Sequence, residues 1–207
     1  MNTAQQIFNQ AKSLFDVAGV SRMSSGDALL ILGLESSAEH DLDEFGQAGG
    51  ALQLPGFARH VAPRLEALVT FIHSKGYSAE LVGRYGYPRK GELNLKEAAI
   101  CAGLGKRGKS TVVLHPKYGP RLRFMAIKTD VPLGEFVGAV QPEEESPVCH
   151  GCSICIDICP VNALEPYRMP DTSICLSNSS VMTEEQERLI PCDICLHLCP
   201  ASKEKGE

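Results

Sequence analysis

The chain has 207 residues, 43% of them hydrophobic, and a formal net charge of −5. No apolar run approaches the roughly 18 residues of a membrane span, so a transmembrane helix is not expected. The negative balance argues against a basic phosphate-binding face and hence against a nucleic-acid partner. Eight of the nine cysteines follow residue 148, and the stretch before them is long enough to bury a core of its own. Two domains are therefore expected, 1–141 and 142–207. The opening MNTAQQIFNQ has neither a basic n-region nor an apolar h-region. That predicts a cytoplasmic protein, in a compartment where thiols stay reduced.

In chain order, Ile7, Phe8, Ala11, Leu14, Phe15 and Ala18 fall at helical spacing and predict a helix over 3–18, begun by a Thr3 cap and stopped at Gly19. Residues 28–34, ALLILGL, form a continuous apolar run of strand length and predict a buried strand. Residues 35–50 are polar and read as a loop. Its acids Glu39, Asp41, Asp43 and Glu44 read as a solvated face in preference to a metal site, because nothing in the spacing fixes their geometry. Val61, Leu65, Leu68, Val69 and Ile72 predict one helix over 55–75, capped by Gly76. A short strand over 79–82 follows. Residues 83–91 then form a loop in which Arg84, Tyr85, Tyr87, Arg89 and Lys90 either meet an anionic or planar ligand or make an ordinary exposed turn.

A helix over 93–102 buries Leu95, Ala98, Ala99 and Ala102. The next stretch, Gly103-Leu-Gly105-Lys-Arg-Gly108-Lys109-Ser110, satisfies both G-x-G-x-x-G and G-x-x-x-x-G-K-S. Both patterns hold phosphate only where a strand delivers the loop to a helix N-terminus. Here a helix precedes the loop and the β-branched stretch 111–115 follows it, so a nucleotide site is not expected. Residues 111–115 and 122–129 predict two strands joined through the turn residues 116–120 as a hairpin. Alternation in the second puts Leu122, Phe124, Ala126 and Lys128 on one face and Arg123, Met125, Ile127 and Thr129 on the other. Residues 142–145 read as an exposed acidic linker.

The cysteines run Cys149-x2-Cys152-x2-Cys155-x3-Cys159-Pro160, then Cys175, then Cys192-x2-Cys195-x3-Cys199-Pro200. This is the ligand order of two [4Fe–4S] clusters in a bacterial-ferredoxin-like module. Three closely spaced thiolates wrap one cluster, and the fourth is carried by a short helix to the other. One cluster therefore takes Cys149, Cys152, Cys155 and Cys199, and the second takes Cys159, Cys175, Cys192 and Cys195. Pro160 and Pro200 stop the short helices. Ile154, Ile156, Ile158, Ile194, Leu196 and Leu198 are expected to keep water off the sulfurs. The 16 residues between Cys175 and Cys192 predict a loop inserted over the second cluster. Zinc is the competing reading, but paired C-x2-C ligands would leave the Cys149, Cys152, Cys155 triplet unexplained.

Gly103-Leu-Gly105, Gly108-Lys109, Leu114-His-Pro116, Tyr118-Gly119, Thr129-Asp130 and Pro132-Leu133, followed by these cysteine motifs, resemble the epoxyqueuosine reductase family, to which reductive dehalogenases are related. The resemblance implies an α/β (α+β) fold, with a nitroreductase-like domain ahead of the ferredoxin-like module. It implies a base-off cobalamin beside two clusters, with Gly103, Gly105, Gly108, Lys109, Ser110 and Thr111 as cofactor-binding residues. A flavin, FMN, in a nitroreductase-like cleft is the alternative cofactor. Family reductases carry a catalytic aspartate in a V-D-S-A-P stretch; residues 88–92 here hold no aspartate, and Glu92 is the nearest acid. The tRNA-binding extension of longer members does not follow Cys199, so tRNA is not an expected partner. The implied partners are an electron donor such as ferredoxin or flavodoxin and, if no corrinoid is bound, the corrinoid of another protein. Cys101, His115 and His150 stand outside the cluster ligands, and each reads as a structural residue or as a group beside the cofactor.

Overall fold

The computed structural model describes residues 2–23, 26–48, 51–83, 85, 93–139, 141, 143–178, 180–181 and 188–202. The helix expected over 3–18 divides in two. Helix α1 spans Thr3–Leu14, and the cap is Asn2, whose side chain accepts from the Gln5 amide at 2.7 Å. The chain then turns extended at Phe15, and Val17–Arg22 is strand β1, with Gly19 at its middle. Tertiary pairing overrides the helical spacing there: β1 is registered antiparallel on β2 (Ala28–Glu35) from Val17↔Gly33 to Arg22↔Ala28. Strands β3 (Phe45–Ala48) and β4 (Ala51–Gln53) form a hairpin where a loop was expected. The helix expected over 55–75 is broken at Val61 into α2 (Pro55–His60) and α3 (Ala62–Ser74). Pro63, in the first turn of α3, has no amide to give to the preceding turn.

Strand β5 (Ala79–Leu81) and helix α4 (Leu95–Cys101) follow, with the Asn94 side chain accepting from the Glu97 amide. Strands β6 (Lys106–Arg107) and β7 (Val113–Leu114) pair with each other, and β8 (Leu122–Thr129) lies between β2 and β5. The hairpin expected over 111–129 is therefore absent, since its two strands join different sheets. Thr111, at φ 70°, cannot belong to a strand, which shortens the first of the two to Val113–Leu114.

The principal sheet, in the order β1-β2-β8-β5, is antiparallel throughout and covered on both faces. Leu30, Leu32, Met125 and Ile127 face α1 and α3, where Ile7, Ala11, Leu65, Leu68 and Ile72 are fully buried. Leu29, Ile31, Phe124 and Ala126 face α4 and the segment after it, packing with Ala98, Ala99 and Leu104. This two-sided burial explains why β2 reads as an unbroken apolar run; each such side chain contributes about 1.5–3 kcal/mol. The α4 face of the sheet is where the site is built.

The cysteine-bearing segment is held by short helices, α5 (Ile154–Asp157), α6 (Thr172–Leu176) and, near its end, α7 (Ile194–His197). Between α6 and α7, strands β9 (Ser180–Val181) and β10 (Arg188–Ile190) form a hairpin, and β10 pairs with β3 through Arg188↔Gly46 and Leu189↔Phe45. The insertion before Cys192 thus completes a second sheet, β4-β3-β10-β9, with the N-terminal half. Its edge partner is more than 130 residues away in sequence, which is why residues 45–53 carry no strand signal of their own. Among the described residues, no helix is long and apolar enough to cross a membrane.

Candidate metal centres and the adjoining cleft

All nine thiols are free, and eight of them line two hollows, four in each. Cys149, Cys152 and Cys155, from the segment entering α5, meet Cys199, which follows α7, around one small hollow. Cys159, which follows α5, meets Cys175, Cys192 and Cys195 around the other. Helices α5 and α7 pack together, so each carries its trailing cysteine across to the other set. Among the described residues, no three Cys, His, Asp or Glu are placed to hold a single metal ion.

Burial pushes the thiols of Cys155, Cys175 and Cys199 up, and that of Cys195 up to about 11. Neighbouring cysteines add to each of these shifts. Four thiolates around so small a space repel one another, and their ionisation calls for a compensating cation. Backbone amides point at sulfur: that of Lys109 donates to Cys149 Sγ, and that of Ala163 to Cys159 Sγ, both at 3.3 Å, and those of Ala201 and Ser202 bond to Cys199.

The apolar residues between the thiols form only part of the expected shell. Ile154 (41% exposed), Ile158 (38%) and Leu198 (48%) are exposed, whereas Ile156 and Leu196 are half-buried and Ile194, though 37% exposed, lines the second hollow. In a one-turn helix the cysteines take the inner side, so residues three and four positions away from one another share the outer one.

Beside the thiol hollows lies a cleft of about 640 Å³ between α4, the start of β8 and the segment 167–172. Its apolar lining includes Leu93, Ile100, Val113, Leu122 and Phe124, and its polar lining includes Lys96, Arg107, Thr111, Arg123 and Arg168. Lys96 Nζ donates to Thr111 Oγ1 at 3.0 Å; burial, and then the nearby Arg123, lower its pKa. Arg123 is itself held by Asp43, and Arg168 by Glu165. Tyr167, at φ 61°, is pinned between the hollow and the cleft. Its amide donates to the Lys109 carbonyl at 2.9 Å, and its own carbonyl accepts from Arg107 Nη2 at 3.0 Å. Burial, with a hydrogen bond to Glu145, raises its phenol to about 12.

The six glycine-loop residues go to three different places. Thr111 lines the cleft, whereas Lys109 and Ser110 line the Cys149 hollow. Gly103 ends α4: at φ 77° it lets its own amide donate to Ile100 and that of Leu104 to Ala99, the double bond of a Schellman cap. Gly105 and Gly108 allow close packing, since a Cβ would stand 2.7 Å from the Leu114 carbonyl oxygen at one and 2.8 Å from that of Val112 at the other. The acidic linker runs beside this loop, with the Arg107 amide donating to the Glu144 carbonyl and Lys106 paired with Glu144.

Cys101 is half-buried at the end of α4; burial, then Glu97 and Glu143, raise its thiol. His115 Nδ1 accepts from the amides of Lys117 and Tyr118, a turn-building role. His150 is exposed beside the first hollow. In the acidic loop, Asp43 binds Arg123, Glu44 binds Arg59, and Asp41 accepts from the Asp43 amide, so these carboxylates hold structure. Arg84, Tyr87, Arg89, Lys90 and Glu92 lie outside the described residues. Lys96, Tyr167 and Met169 line the cleft without having stood out in sequence, since no motif surrounds them, and Arg107 lines it as an intervening residue of the glycine pattern.

No protein-family model matches the chain. Among curated proteins, the epoxyqueuosine reductase of Staphylococcus aureus is 30% identical over 152 residues, 68% of this chain and 37% of its own length. That of Pseudomonas aeruginosa is 36% identical over 119 residues, 51% of this chain and 30% of its own. The chain thus spans about a third of the curated relatives it matches. Among solved structures, epoxyqueuosine reductase from Bacillus subtilis superposes with a TM-score of 0.63 at 18% identity, covering 97% of this chain and 65% of the other. A reductive dehalogenase whose structure suggests a mechanism for B12-dependent dehalogenation gives 0.62 at 17%, covering 94% and 32%. At these identities the structural likeness establishes a shared mixed α/β fold.

Proposed function

We propose that this chain, a relative of the epoxyqueuosine reductases and reductive dehalogenases, is an iron–sulfur redox protein that delivers low-potential electrons to a corrinoid bound in its cleft. The observation that carries the proposal is the division of eight thiols into two four-cysteine hollows, each completed by a cysteine from the other motif. Cys149, Cys152, Cys155 and Cys199 would hold one [4Fe–4S] cluster, and Cys159, Cys175, Cys192 and Cys195 the other. Four thiolates around each hollow match the ligand count of one [4Fe–4S] cube. The clusters supply single electrons, and the corrinoid supplies a cobalt centre that accepts them.

The cleft falls within the roughly 300–1,000 Å³ of small-molecule sites, and its walls are mostly apolar with a few cations. Lys96 would present its ammonium Nζ to a group in the cleft, as hydrogen-bond or proton donor. Thr111 orients that ammonium. Arg107 and Tyr167 brace the wall toward the thiols. The exposed isoleucines and leucine beside both hollows suit contact with a protein donor such as a ferredoxin or flavodoxin. The proposed location is a reducing compartment such as the cytoplasm.

The test is anaerobic reconstitution with iron, sulfide and cobalamin, followed by metal analysis and absorption spectroscopy. The proposal expects about eight irons per chain, and cobalt with a base-off spectrum. Irons without cobalt would make the protein an electron carrier or a reductase of another protein's corrinoid. A yellow chromophore released on denaturation would identify FMN, and zinc in place of iron would refute the proposal.

A further inference from the structure

The two thiol hollows share a helical framework but differ in charge. On the wall of the first, Lys109 contributes twice: its amide donates to Cys149 Sγ at 3.3 Å, and its ammonium Nζ donates to the Cys152 carbonyl at 2.6 Å. A carbonyl fixes the ammonium in place and, being uncharged, does not itself cancel its positive charge. Tyr167 braces the same residue, its amide donating to the Lys109 carbonyl and its ring lying 6.0 Å from Nζ. The second hollow has an amide, from Ala163 to Cys159 Sγ, but its remaining lining residues, including Val161, Leu164, Met169 and Asn178, carry no charge.

Positive charge and hydrogen bonds to sulfur stabilise the reduced, more negative state of an iron–sulfur cluster and raise its potential. Resting on the cluster assignment above, we infer that Lys109 is a positioning residue for the redox step: it makes the Cys149, Cys152, Cys155, Cys199 site the more easily reduced of the two. Added electrons then settle first on the Cys149 side, whose loop continues through Ser110 to Thr111 into the cleft, while the second hollow meets the cleft at Met169.

The experiment is an anaerobic redox titration with dithionite, one electron per cluster, followed by electron paramagnetic resonance on protein reconstituted with both clusters. The unsubstituted protein is expected to show two midpoints, the higher one absent from Cys199→Ala. Lys109→Met is expected to move that midpoint to more negative potential and leave the other in place. Lys109→Arg should retain most of the original value, and Lys106→Met, at an exposed pair with Glu144, should change neither. Asn178→Lys, which puts a cation on the second hollow and not on the cleft, is expected to raise the lower midpoint, and it needs no Lys109 variant to fold. Unchanged midpoints in Lys109→Met, or a shift confined to the second site, would overturn the inference while leaving the clusters in place. Equal midpoints in the unsubstituted protein, or an unchanged gap in Asn178→Lys, would also overturn it. Failure of the unsubstituted protein to assemble clusters would remove the assignment it rests on.

Discussion

The exchange of trailing cysteines between the two motifs makes a prediction that neither motif alone would suggest. Cys149 and Cys199 are 50 positions apart but line one hollow; Cys149 and Cys159 share a motif but line different hollows. Each site is expected to take four irons, so the complete protein carries about eight. Replacing Cys199 with alanine removes one wall of the first hollow and should lower the content to about four. The double variant Cys149→Ala/Cys199→Ala damages the same hollow twice and should also retain about four. Cys149→Ala/Cys159→Ala damages both hollows and should retain almost none. Iron and sulfide content after anaerobic reconstitution, with spin quantitation of the reduced protein, separates these cases. The arithmetic is non-additive in a way that only the crossed arrangement produces. Loss of both sites in Cys149→Ala/Cys199→Ala, or survival of one in Cys149→Ala/Cys159→Ala, would refute it.

Leu32→Ala, at a fully buried position of β2, should cost about 3–5 kcal/mol, read as a lower urea midpoint for the anaerobic protein. Arg123→Ala leaves the half-buried Asp43 carboxylate without its guanidinium and is expected to cost about 1–3 kcal/mol in the same assay. His115 has its pKa lowered from 6.5 by burial and then by Lys117, and its Nδ1 is occupied as an acceptor. The unfolded chain therefore takes up this proton first, so stability should fall as pH drops below 6.5 and level off once the folded group is protonated. His115→Asn, whose carbonyl oxygen can accept from the same amides, should flatten that acid slope; an unchanged slope would show that other groups cause it.

How much of this protein is legible in one dimension follows from the range of the interactions involved. The cysteine spacing is local chemistry, and the four-plus-four grouping of thiols could be written from it before any helix was placed. Strands β2 and β8 were legible for a related reason, since their alternation and apolar content record two covered faces whatever covers them. Other features depend on residues far away. Val17–Arg22 continues a helical pattern and becomes a strand because β2 offers it an edge. The hairpin β3–β4 extends into a sheet only when β10 arrives from the insertion before Cys192. Lys109 belongs to a glycine pattern that suggests phosphate, yet its amide and ammonium turn to Cys149 and Cys152, 40 and 43 positions on. The exposure of Ile154, Ile158 and Leu198 follows from which side of a single helical turn the sulfurs occupy. Spacing along the chain thus determined which atoms are available as ligands. Packing between distant segments decided which charges, faces and open space surround them, because those depend on neighbours that only the folded chain brings together.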